Sequence, residues 1–212
     1  MRITNGILQQ NALREIQRNL SELAEAQRQV ATGRRHDRVS DDPLAGTQVV
    51  RHDAALRALE QHRRNATAVR ARLDAEEAVL GQLDALLTRA KELGTEQASG
   101  GTGAVGRAAA VAELDRILEQ VIQLGNTELG GEHLFGGYLV DAPPFDPTGA
   151  YLGDDGVRQA ELGAGYVIDT VHSGRRIFVD TGVIASVRQL RGAVQGGDTA
   201  AIATALTAVD GA

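Results

Sequence analysis

Apolar residues recur at alternating spacings of three and four near the start of the chain, which is the period of one face of an α-helix. The positions are Leu13, Ile16, Leu20, Leu23 and Val30, with Gln27 as the polar interruption. Gly33 follows, and glycine supplies the left-handed conformation that commonly ends helices. The pattern therefore predicts an amphipathic helix that stops at Gly33.

A second and much longer helix is predicted to begin at Pro43. Asp42 is a good N-cap, and Pro43 stands at the first helical position, where a missing N–H costs nothing. Residues 33–43 are therefore predicted to form a hinge. The seam positions of the second helix are Leu59, Ala66, Val69, Leu73, Leu80, Leu83, Leu87 and Ala90, interrupted by His62 and Glu76. Without proline before residue 99, such a helix extends over roughly 80 Å at about 1.5 Å per residue.

A third helical pattern occupies residues 105–128. Its apolar positions are Val111, Leu114, Leu118 and Val121, and Ile117 and Ile122 widen the face. The glycine-rich turn at residues 100–103 lets this helix return along the second one.

The residue pattern of the chain changes after residue 128. Aromatic and β-branched runs separated by Gly, Pro and Asp predict short strands. These runs are residues 134–140, 149–152, 157–162, 166–171 and 176–179. Two short helices, 183–194 and 199–209, close the chain, with Asp198 as a cap. The predicted class is mainly α, a long antiparallel helical rod with a small β-hairpin module inserted after the third helix.

Four segments are expected. They are an assembly helix (1–33), a long-helix rod (34–132), a β-rich module (133–182), and short helices that lead toward a missing C-terminal part (183–212).

Composition narrows the function classes. Only 3% of the residues are aromatic and there is no Trp, which suits helix seams better than a ligand pocket. The chain has no Cys, which excludes disulfides and thiolate sites. The net charge is −6, yet the first 75 residues carry about +4. Their arginines alternate with acids and lack stacking aromatic partners, so neither nucleic acid nor a membrane is expected as a partner.

The sequence offers few candidate catalytic or metal-binding residues. The five histidines, His36, His52, His62, His133 and His172, lack the i, i+4 spacing of a metal-binding helix. Asp154-Asp155 and Asp41-Asp42 are explained better by a turn and a cap than by cation binding. No catalytic residue, metal or cofactor is predicted, and the chain is not expected to be an enzyme.

Several motifs in order resemble one family, the bacterial flagellins. They are Met1-Arg2-Ile3-Thr4, the break from Ala31-Thr32-Gly33 to Asp41-Asp42-Pro43, Asn126-Thr127, Leu134-Phe135-Gly136-Gly137, Pro144-Phe145, and Tyr151 to Gly156. Within the family, the likeness is greatest to subunits at the junction of hook and filament.

The resemblance implies a structural subunit of the flagellum that self-assembles in a ring between hook and filament and serves motility. It implies type III export without a cleavable signal peptide. The implied partners are other copies of the chain, neighbouring hook and hook-associated proteins, and an export chaperone. It further implies that Leu13, Ile16, Leu20 and Leu23 pair with a C-terminal helix that the sequence lacks, so an absent segment or another molecule would complete the seam.

The lateral faces of the long helices are the other expected assembly surface. Arg57, Arg63, Arg64, Arg70 and Arg72 are predicted to meet acids of a neighbouring subunit such as Glu76, Glu77, Glu92 and Glu113. Two alternatives remain open: a flagellin-like filament subunit, and a helical adaptor of a non-flagellar secretion system. An enzyme with a site around Asp154, Asp155 and His172 is the least favoured possibility.

Overall fold

A computed structural model describes residues 5–33, 43–100, 103–170 and 172–212. The helices are α1 (Asn5–Thr32), α2 (Pro43–Ala98), α3 (Gly103–Gly125), α4 (Val183–Gly196) and α5 (Thr199–Asp210). The strands are β1 (Glu128–Leu129), β2 (Glu132–His133), β3 (Gln159–Gly163) and β4 (Tyr166–Asp169), paired as two antiparallel hairpins. The predicted mainly α class with small hairpins after the third helix is confirmed.

The chain divides into two compact units, Met1–Leu59 and Glu60–Ala212. The four segments predicted from the sequence remain a prediction. The first unit contains α1 and the first part of α2. The amide of Gly33 donates to the carbonyl of Gln29 at 2.8 Å, and Gly33 has a φ of 65°. This is the left-handed helix end expected there, and α2 begins at Pro43 as expected. Asp42, the predicted cap, lies outside the described residues.

Helices α2 and α3 run antiparallel in the second unit. The Arg89 guanidinium lies 2.7 Å from the Glu113 carboxylate, and Leu86 and Leu124 line one surface groove together. The apolar face predicted for the third helix is confirmed, since Leu114, Ile117 and Val121 are buried. Burial of such side chains is the main stabilising contribution to this helix pair, at about 1.5 to 3 kcal/mol each.

The predicted seam of α2 is half wrong. Val69, Leu83 and Ala90 are buried as expected, but Leu73 and Leu80 are 40% and 43% exposed and line an open groove of about 740 Å³. The second buried column lies one position earlier, where Val79 and Leu93 face the core. Glu76, which interrupts the pattern in the sequence, is itself a buried seam position. A carboxylate was not expected there because one of its partners, His172, comes from a distant part of the chain.

The strands β3 and β4 confirm the predicted hairpin at residues 157–170, with Val171 outside the described residues. Two other predicted strands are wrong. Residues 134–140 form turns, because Gly137 has a φ of 74° and Gly136 leaves no room for a side chain beside the carbonyl of Leu139. Residues 176–179 belong to a π-helical turn, Arg175–Val179. Around residues 149–152, one isolated bridge joins Phe145 to Tyr151.

Three phenylalanines form the centre of the hairpin module. The Phe135 and Phe145 rings each lie 5.3 Å from the Phe178 ring, both edge to face. Such pairs contribute about 0.5 to 1.5 kcal/mol beyond the area they bury. The strand prediction fails at Phe178 because a wide helical turn, not alternation, directs its ring into this cluster.

Helices α4 and α5 pack on the same core through Leu190, Val194 and Ile202. The Asp198 carboxylate accepts from the amides of Ala200 and Ala201, which confirms it as the cap of α5.

Candidate assembly surfaces

The first candidate surface is the apolar face of α1, in the first unit. Leu13, Ile16, Leu20 and Leu23 are 56% to 60% exposed. Helices gain most of their stability from burying such a face against a partner. An exposed stripe of this length is typical of an interaction surface.

Arg57 belongs to the first unit and is exposed on α2. Its guanidinium lies 3.8 Å from the carboxylate of Asp53, one turn earlier. An exposed pair of this kind contributes about 0 to 1 kcal/mol, so Arg57 remains available to a neighbouring molecule.

The second candidate surface, in the second unit, is the arginine face of α2, formed by Arg63, Arg64 and Arg70. All three side chains are exposed. Arg70 lies 3.9 Å from Asp74, and Arg64 donates to the side chain of Gln61 at 2.6 Å. In the part of the chain that the structure describes, the Arg63 side chain makes no hydrogen bond or ion pair. The face is therefore positively charged and largely uncompensated.

Four residues expected on the lateral faces are engaged within the chain. Glu92 and Glu113 both pair with Arg89, at 3.0 and 2.7 Å. The Glu113 carboxylate is the main cause that raises the pKa of Arg89 above its ordinary value. The side chains of Arg72 and Glu76 are only 12% and 5% exposed and lie 3.6 Å apart, so both face the interior of the second unit.

Arg72, Glu76 and His172 form a polar cluster between α2 and the hairpin module, with Glu76 buried, Arg72 partly buried and His172 exposed at its edge. The Nδ1 atom of His172 lies 2.8 Å from the Glu76 carboxylate, whose side chain is only 5% exposed. Arg72 donates to the carbonyl of Leu134, and its Nε lies 3.6 Å from the same carboxylate. Burial lowers the pKa of Arg72, an effect that Glu76 opposes. The cluster fixes residues 134 and 172 against the same part of α2.

A second attachment lies at the end of α3. The side chain of Asn126 exchanges two hydrogen bonds with the backbone of Phe145, donating at 2.9 Å and accepting at 2.8 Å. A side chain at Gly125 would meet the Phe145 ring at 2.7 Å. Gly125 and Asn126 together therefore seat Phe145 on the helix end.

Asp154 organises the turn that follows Phe135. Its Oδ1 accepts from the amides of Tyr138 and Gly156, at 2.8 and 2.7 Å. The hydroxyl of Tyr151 lies 3.0 Å from the carbonyl of Phe135 and 2.8 Å from that of Asp154. Burial raises the pKa of Tyr151 above its ordinary value. Asp154 thus has the turn-forming role expected of it.

The described residues show little that could support chemistry. They contain no group of three or more His, Asp or Glu side chains arranged to hold a metal ion. None of the helices in those residues is long and apolar enough to cross a bilayer.

The buried attachments are what sequence reasoning missed. Glu76 and His172 are 96 positions apart, and Asn126 and Phe145 are 19 apart, so no local spacing predicts either pair. The available signal was a carboxylate at a seam position, because buried carboxylates need partners.

The described residues form a mainly α fold whose long helices expose an apolar face on α1 and the arginine face on α2. Residues 3–139, well over half of the chain, match the family described as the bacterial flagellin N-terminal helical region. The chain belongs to this family.

Particular relatives are flagellar proteins. Flagellar hook-associated protein 3 of Salmonella typhimurium is 28% identical over 180 residues, covering 84% of this chain and 57% of that protein. The Escherichia coli protein of the same name is 27% identical with the same coverage. The chain thus spans little more than half the length of these curated relatives. The crystal structure of Bacillus cereus FlgL has a TM-score of 0.67 and 27% identity, covering 78% of this chain and 84% of that one.

Proposed function

We propose that this chain is a structural subunit of the bacterial flagellum that self-assembles as a ring at the junction of hook and filament. The observation that carries the proposal is the family match over residues 3–139, together with two relatives named flagellar hook-associated protein 3. The motifs from Asn126 to Gly156 support it, because Asn126 and Asp154 hold the turns of the hairpin module through side-chain hydrogen bonds.

The exposed surfaces fit assembly. The apolar face of α1 needs a covering partner, and the arginine face of α2 can set the register of a neighbouring subunit. Exposed charges are individually weak, but a ring repeats each contact around its circumference. The partners proposed are other copies of the chain, adjoining hook and hook-associated proteins, and an export chaperone. The proposed location is the flagellum, outside the cell. No catalytic role is part of the proposal.

Isolated hook fragments provide the test. The purified chain, mixed with hooks and viewed by negative-stain electron microscopy, is expected to decorate one end of each hook. A filament subunit would instead extend from the decorated end into filaments. An adaptor of another secretion system would leave both hook ends bare and form a small discrete oligomer. Either of these results would overturn the junction assignment.

Charge reversal tests the surface itself. Arg63→Glu with Arg64→Glu, introduced into the chromosomal gene, is expected to give cells with hooks but few attached filaments. Arg116→Glu is the control, because Arg116 is exposed on α3 away from this face. Normal filament numbers in the double variant, with export verified, would exclude the arginine face from assembly.

A further inference from the structure

The turns of the hairpin module display an apolar patch. Tyr138, Leu139 and Leu152 are 63%, 55% and 61% exposed, and with Pro143 and Asp141 they line a shallow pocket of about 200 Å³. This set is called the Tyr138 patch below. None of its members belongs to the surfaces described above.

The patch is rigidly held. The Tyr138 amide donates to Asp154 at 2.8 Å and its hydroxyl donates to the carbonyl of Val157 at 2.8 Å. The Leu152 amide donates to the carbonyl of Pro144 at 2.7 Å. Apolar side chains fixed in advance lose little conformational entropy on binding. Tyrosine is also enriched in protein interfaces.

Charge complementarity indicates which surface binds the Tyr138 patch. Asp141 is the acidic residue that lines the patch, in a segment, residues 134–157, that contains no Lys or Arg. Residues 60–72 of α2 contain four Arg and one Glu, and three of these arginines form the arginine face. Within one copy, across the residues described, no ion pair joins Asp141 to that face. Both surfaces are therefore open to a complementary surface on another molecule.

We propose that the Tyr138 patch of one copy docks on the arginine face of α2 in a second copy. In this contact Asp141 lies against Arg63 and Arg70. Tyr138 and Leu139 cover Ala66 and Thr67, which lie between those two arginines on α2. The two surfaces differ, so the contact is head-to-tail. The resulting dimer retains one free Tyr138 patch and one free arginine face, on different copies, which allows a ring to grow. The inference rests on the proposed self-assembly and names the surfaces that carry it.

Cysteine crosslinking tests the contact, because the chain has no Cys of its own. Copies carrying Leu139→Cys are mixed at high concentration with copies carrying Thr67→Cys and treated with a short bismaleimide. A crosslinked dimer is expected. The control pairs Leu139→Cys with Ala203→Cys, an exposed position on α5.

Charge reversal makes the test specific. Asp141→Arg, added to the Leu139→Cys copy, is expected to lower the crosslinked yield about fivefold. Arg63→Glu in the Thr67→Cys copy is expected to restore it. A yield no higher than the Ala203 control, a yield indifferent to both reversals, or crosslinking of Leu139→Cys to hook protein alone would overturn the inference.

Hook decoration by the parent chain separates this inference from the proposed function. Decoration of one hook end without the Leu139–Thr67 crosslink overturns the docking contact alone. The crosslink without decoration supports the contact and counts against the junction assignment.

Discussion

The side chain of Asn126 bonds both the amide and the carbonyl of Phe145, at 2.8 and 2.9 Å. One planar side chain thus satisfies the two backbone groups of a residue whose ring is buried in the aromatic cluster. An unsatisfied buried backbone group costs about 1 to 3 kcal/mol. The attachment therefore couples the end of α3 to the whole hairpin module.

Asn126→Ala is expected to lower the free energy of unfolding by about 1 to 3 kcal/mol, because it leaves the Phe145 backbone unpaired. Urea titration followed by circular dichroism measures the loss. Asn65→Ala is the control. Asn65 donates to the carbonyl of Glu161 and accepts from the side chain of Gln61, but both hydrogen bonds are exposed, so the substitution should change stability by less. Equal midpoints for both variants would contradict the role given to Asn126.

Glu76→Ala is expected to destabilise the second unit by about 1 to 3 kcal/mol, because it leaves the partly buried Arg72 without its counter-charge. The double variant Arg72→Met, Glu76→Leu should recover much of this loss, since two apolar side chains need no ionic partner. A double-mutant cycle from urea titrations measures the coupling. Additive losses would show that the two residues act independently.

Asp146 is expected to make the free energy of unfolding depend on pH in the acidic range. The hydroxyl of Thr148 is the main cause that holds the pKa of Asp146 below its ordinary value, helped by the amide of Ala150. Because the folded pKa is the lower one, the stabilisation is complete above the unfolded value of about 3.9 and is lost as the pH falls through the folded pKa.

Asp146→Asn should therefore be less stable than the parent at pH 7, and the difference should shrink as the pH falls below about 3.9. Urea midpoints measured between pH 7 and pH 2.5 provide the comparison. Asp141→Asn, the same substitution at an exposed position of the same module, is the matched control. A pH-independent difference for Asp146→Asn would refute the linkage.

Substitution by alanine is expected to have opposite effects on helix stability at Gly33 and at Gly81. Gly33 has a φ of 65°, so Gly33→Ala should fray the end of α1 at a cost of about 1 kcal/mol. Gly81 lies in the interior of α2 with open space around it, so Gly81→Ala should stabilise that helix by about 0.5 to 1 kcal/mol. Hydrogen exchange at residues 29–32 and at residues 78–85 reports the two effects. The same sign at both positions would disprove the assignment of Gly33 to a left-handed cap.

The sequence by itself determined the helices and most of their ends. Helical periodicity and strong end signals predicted α3 and the cap at Asp198, because those signals are local. The same reasoning failed for part of the α2 seam. The predicted positions Leu73 and Leu80 are exposed, and the buried positions, such as Val79, lie one residue earlier. Periodicity cannot choose between them when the partners that bury one column come from residues far along the chain.

Tertiary structure alone decided the attachments. The carboxylate of Glu76 meets His172, 96 positions further along the chain, and Phe178 is buried because a π-helical turn directs it between two other rings. The exposed surfaces show the same division. The sequence indicated that arginines are abundant on α2, but only the fold separated the partly buried Arg72 from the exposed Arg63, Arg64 and Arg70. Burial depends on which distant segments cover a side chain, and local spacing does not contain that information.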